Sequence, residues 1–219
     1  MTRKLYLVPI LHLSADMGSL GPVLNETARA GLGQVAWQKH QEAVIAFWND
    51  IAQFFNGIDA AGMKVYQDGM VADGADGLRI LRVGISQGSK NYEIIENLLE
   101  RGAVLVKTED LALVKQEYTY LAKIAKSKSL REKEVWSLRY KLAQGRLLGQ
   151  RDEFIARRIN ETLGEGETGI LFIGAYHDVL PGLANDIQVI PVKDIKQVRA
   201  HHRELLGRAT GPASAKPQT

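Results

Sequence analysis

Cysteine is missing from this 219-residue chain. Disulfides, thiolate catalysis and Cys-ligated zinc or iron–sulfur centres are therefore excluded. Long apolar runs are missing too. The stretch from Leu5 to Leu13 is broken by Pro9 and His12, and falls far short of the roughly 18 residues that a membrane span needs. It follows Met1-Thr2-Arg3-Lys4 as the core of a signal peptide would, yet no small-residue cleavage site comes after it. A buried strand explains it better. A strong charge of one sign is also absent, since 28 Lys and Arg face 25 Asp and Glu, for a net charge of +3. The pI near 9.0 then reflects a few surplus cations rather than a basic face. Neither a nucleic-acid partner nor a membrane is expected, and the expected compartment is the cytoplasm.

What is present is the composition of a globular domain, with 45% hydrophobic and 24% charged residues. Short apolar runs read as strands at Leu5–Leu11, Met63–Tyr66, Leu78–Val83, Ala103–Val106, Gly169–Ile173 and Ile187–Val192, the last placed at an edge by Pro191. Helical spacing fits Val35 to Phe55, Tyr92 to Glu100, Asp110 to Lys126, Ser129 to Leu163 and Lys193 to Leu206. Ser129 with Glu132 forms a capping box, and Gly145 or Gly149 marks a break in the helix that follows. Tyr118, Leu121 and Ile124 with Trp136 and Tyr140 read as core between two helices. The alternation predicts an α/β fold, a largely parallel central sheet with helices on both faces, plus a long helical segment over 110–163. A single domain is expected over 1–206 and a disordered tail over 207–219.

In such sheets ligands bind beyond the carboxyl ends of the strands. His12 follows the first strand there, and His177 follows Gly169–Ile173 within Gly174-Ala175-Tyr176-His177-Asp178. Asp68 closes the second strand, with Asp16 and Asp178 also near strand ends. Neutral imidazole serves as a metal ligand or general base near working pH. Two imidazoles with a carboxylate would suit a divalent transition metal (Mn, Zn or Fe) that activates water. Each histidine could equally just hydrogen-bond a loop backbone.

The segment Gly174-Ala175-Tyr176-His177 after an apolar strand resembles the second Gly-x-x-His motif of the TraB/Tiki-like proteins, relatives of the erythromycin-esterase-like and ChaN-like groups. Arg151-Asp152-Glu153-Phe154-Ile155-Ala156-Arg157-Arg158-Ile159 is similar to that family's arginine-bearing helix. Leu7-Val8-Pro9-Ile10-Leu11-His12 stands where the first Gly-x-x-His would be, with Pro9 in the glycine's place. Asp68 stands where an acidic residue, usually glutamate, closes the second strand. The likeness is densest from Arg151 to Val192. It implies an α/β fold whose motif residues meet in one cleft, and some Tiki members are metal-dependent proteases. On that basis His12, His177 and Asp68 are the expected metal ligands. The expected catalytic set is His12, His177, Asp68 and Arg151, with Arg151 gripping the negative end of a small-molecule or peptide substrate.

Two other readings stand beside it. The same cleft could bind a ligand without turnover, in a regulatory protein. Alternatively Gly84-Ile85-Ser86-Gln87-Gly88 satisfies the Gly-x-Ser-x-Gly pattern of a nucleophile elbow, with Asp178 and His201 or His202 completing a Ser86 hydrolase triad. The same segment extended to Lys90 could also cradle an anion. The long helices permit a homodimer.

Overall fold

The computed structural model describes residues 2–10, 26, 29–30 and 33–200. Five parallel strands form one sheet in the order β3-β2-β4-β1-β5. They are β1 (Arg3–Ile10), β2 (Lys64–Gln67), β3 (Val104–Val106), β4 (Thr168–Gly174) and β5 (Ile187–Pro191). The helices are α1 (Gln34–Asn56), α2 (Gly74–Ser86), α3 (Lys90–Glu100), α4 (Leu111–Ala125) and α5 (Leu130–Thr162), and residues 195–200 are helical. The expected α/β architecture forms, and the sheet, expected to be largely parallel, is parallel at every pairing.

The central strands carry near-continuous apolar sequence because both of their faces are covered. Val8, Ile10, Ile170 and Phe172 point to one face, where they meet Val44, Trp48, Ile51 and Phe55 of α1 and Leu81, Ile95 and Leu98 of α2 and α3. Leu5, Leu7, Leu171 and Ile173 alternate to the other face and meet Ile155 and Ile159 of α5. Fully burying one such side chain is worth about 1.5–3 kcal/mol. Pro9 fits inside β1 because its nitrogen faces the β5 side beyond that strand's end. Leu7 is the last residue of β1 to pair there, accepting from Val192 N. Pro191 lies in edge strand β5, as expected.

Three expectations need correction. Residues 78–83 are not a strand but part of α2. Their apolar density mimics a strand, but Gly77, Leu81 and Gly84 recur at helical spacing and are buried. A Cβ on Gly84 would lie 2.0 Å from the Tyr92 ring, so glycine is what lets α2 pack closely on α3. Helix α5 runs unbroken through Gly145 and Gly149, whose cost of about 1 kcal/mol each is spread over 33 residues. Tyr118 is 42% exposed rather than core. The ring contacts between α4 and α5 are made by Tyr120, with Trp136 at 6.5 Å and Tyr140 at 5.9 Å. Ser129 does cap α5, and the Glu132 carboxylate reaches back to Lys128 N at 2.9 Å.

The connections decide where a crevice opens. After β1 and β2 the chain enters helices on the α1 face, whereas after β3 it reaches α5 on the opposite face. After β4 it turns to the same side as α5, where Val179 is buried. β2 and β4 are neighbours, so loops leaving them diverge. A gap between diverging loops at the carboxyl ends of parallel strands is a ready-made site.

Candidate functional site

Asp68 follows β2 directly and is fixed on both sides. Its backbone N–H donates to Phe172 O at 2.9 Å and its carbonyl accepts from Gln67 Nε2 at 3.0 Å. Gln67 in turn accepts from buried Asn91 at 2.9 Å. The Asp68 carboxylate reaches across to β4, where Oδ2 accepts from Gly174 N at 3.0 Å. His177, three residues on, is turned back by a hydrogen bond from its own N–H to Gly174 O. Glu109 follows β3 and precedes Asp110, the N-cap of α4, whose side chain accepts from Ala112 N and Leu113 N. One acidic or imidazole side chain thus closes each of three adjacent strands.

Helix α5 supplies the other wall. Arg151, on its inward face, is 8% exposed. Its Nη2 donates to Asp68 Oδ1 and to Glu109 Oε1, each at 2.6 Å, and Nε donates to Glu109 at 3.1 Å. Nη1 pairs with Glu117 of α4, which also accepts from the Tyr140 hydroxyl at 2.7 Å. Asp152 sits 2.5 Å from His177 Nδ1 and accepts from Asp178 N at 3.0 Å. His177 Nε2 lies 3.4 Å from Asp68 Oδ2. Ligand atoms from Asp68, Glu109 and His177 all lie within 4.8 Å of one another.

The charge balance of this cluster is lopsided. Four carboxylates, Asp68, Glu109, Glu117 and Asp152, face one guanidinium and one imidazole. Protons make up part of the deficit. Burial opposes charge on His177, but the hydrogen bonds to Asp152 and Asp68 outweigh it and push the imidazolium up to about 10. Burial raises Glu109 to about 7, despite the opposing pull of Arg151. Arg151 is disfavoured by burial, yet Asp68, Glu109 and Glu117 more than compensate and hold it charged. Such a site favours any added positive charge.

Of the residues expected from sequence, Asp68, His177 and Arg151 come together. His12 lies outside the described residues, as do Asp16, His201, His202 and the expected tail. β1 ends at Ile10, paired with Gly174 of β4. Arg151 donates to three carboxylates; gripping a substrate anion would require breaking one of those pairs. Ser86 ends helix α2, is exposed, and donates to Val83 O at 2.7 Å. A nucleophile elbow needs a strand before the serine, and here a helix precedes it.

Glu109, Glu117 and Asp152 were not expected. Glu109 carried one legible signal, an acidic residue within three positions of a predicted strand's end, as at Asp68. Asp152, beside Glu153, and Glu117 are acids on charged helices, and spacing gives no sign of them. No protein-family model, curated protein or solved structure matches the chain.

Proposed function

We propose that this chain is a metal-dependent hydrolase of the TraB/Tiki-like type, with a divalent transition metal (Mn, Zn or Fe) held by Asp68, Glu109 and His177. The observation that carries the reading is the way His177 is held. Asp152 takes the Nδ1 side at 2.5 Å, which leaves Nε2 directed at Asp68 and beside Glu109. A carboxylate behind a ligating histidine fixes its tautomer and raises its basicity, the usual outer support of a metal site. One nitrogen and two carboxylates suit a borderline divalent ion. The excess of carboxylates gives the charge such an ion needs.

When bound, the ion would supply Lewis acidity and lower the pKa of water at the site. The chain's own residues do the rest. Asp152 orients the imidazole. Arg151 bridges Asp68 and Glu109 and holds their spacing, while each carboxylate keeps lone pairs for a ligand. Gly174 N anchors Asp68 Oδ2. The Glu109 side chain is fully buried and that of Asp68 is 13% exposed, so a small-molecule or peptide substrate would approach from the Asp68 side.

Metal content after native purification tests the reading. A stoichiometric transition metal is expected, lost in Glu109→Gln and His177→Ala and reduced about 10–100-fold in affinity by Asp152→Asn. A metal-free protein that neither binds nor is stabilised by Mn, Zn or Fe(II) would sink the proposal. If that protein still bound a ligand in the crevice, the non-catalytic reading would take its place.

A further inference from the structure

The small net charge of the chain conceals a segregation. Residues 111–146, which make up α4, the turn and the outer half of α5, contain nine Lys and Arg but three Glu, a net +6. The remaining residues contain nineteen basic and twenty-two acidic side chains, a net −3. This basic part has no share in the core. No residue of α4 is buried, and every buried residue of α5 lies at Leu147 or beyond. The two helices therefore project as an arm.

Large apolar side chains stand on the arm in water. Leu130, at the turn, is 82% exposed, Leu138 59% and Leu142 78%. Lys126, Lys128 and Arg131 crowd around Leu130 in sequence. Lysine and arginine interleaved with exposed leucine is the composition of a helix that rests in a lipid headgroup layer. Phosphate-backbone binding needs the cations alone and gains nothing from the leucines. No helix among the described residues is long and apolar enough to cross a membrane. That absence bears on crossing and leaves adsorption open.

We propose that the α4–α5 arm docks on an anionic phospholipid surface, with Lys126, Lys128 and Arg131 at the headgroups and Leu130, Leu138 and Leu142 entering the layer. The proposal is independent of the cation site, since none of these six residues belongs to it. Vesicle flotation of the full chain tests it, using phosphatidylcholine vesicles with and without phosphatidylserine. Binding to the anionic vesicles should be at least about tenfold tighter and should weaken at high salt. Leu130→Ser/Leu138→Ser/Leu142→Ser should lose about tenfold, with an unchanged circular dichroism spectrum and melting temperature. Lys126→Glu/Lys128→Glu/Arg131→Glu should abolish binding. Equal binding to both vesicle compositions overturns the proposal. So does undiminished binding by the leucine variant, or duplex RNA binding that is as tight as vesicle binding and indifferent to the leucines.

Discussion

Helix α5 behaves as two different objects along one continuous axis. From Leu147 onward it buries Leu147, Arg151, Ile155, Ala156 and Ile159 against the sheet and carries the site's arginine. Before Leu147 it buries nothing, and its leucines face water. The inner half is held by tertiary packing and by charges that need one another. The outer half rests on helix propensity, its Ser129 cap and the seam with α4. A regular hydrogen-bonded ladder thus says little about where a helix gets its stability.

The sharpest way to break this comparison is Arg151→Ala. It leaves Glu109, Asp68 and Glu117 facing one another with no guanidinium, and removing one member of a buried charge cluster typically costs about 3–5 kcal/mol. Urea unfolding of the chelated protein should show that loss, and a change under about 1 kcal/mol would mean that the cluster is not held together as described.

Between pH 6.5 and 10 the site's His177 and Glu109, packed against the inner half, should dominate the response to pH. Folding raises His177 from 6.5 to about 10, so its stabilising contribution is complete below pH 6.5 and disappears as pH rises through 10. Glu109, raised from 4.5 to about 7, adds a second loss between those values. The melting temperature of the chelated protein should therefore fall as pH rises from 6.5 to 10, and the slope should vanish in His177→Ala. A wild-type protein of constant stability across that window would contradict the doubly bonded imidazolium.

The smallest effect is expected at Leu142→Ala. Truncating a 78% exposed leucine should shift stability by no more than about 0.5 kcal/mol. A loss of 2 kcal/mol or more, roughly what truncating a core residue costs, would show that something covers the arm in solution.

The strands of the central sheet were legible because burial on both faces writes them as short apolar runs, as at Leu5–Ile10 and Gly169–Ile173. Helix α1 was legible from its period, and the strand-end rule pointed to Asp68 and His177, whose side chains the fold brings to within 3.4 Å of each other. Residues 78–83 misled because four apolar residues in six fit either a strand or a helix, and the close packing of Gly84 on Tyr92 of the next helix cannot be read from that run alone. The site's other carboxylates come from α4 and α5, and no local spacing links Glu117 or Asp152 to a strand end. Net charge hides a distribution. A sum over the whole chain cancels the arm against the body, and only knowing which residues project reveals the imbalance.

The strand order has a temporal side. Among the described strands β1 pairs only with β4 and β5, so β1 finds no neighbour in this sheet until synthesis has passed Thr168. Asp68 likewise waits for Gly174 and His177. Synthesis arrested between residues 107 and 167 would leave both edges of β1 and one edge of β2 bare, a state exposed to aggregation. The crevice cannot form until β4 and the turn after it have been made.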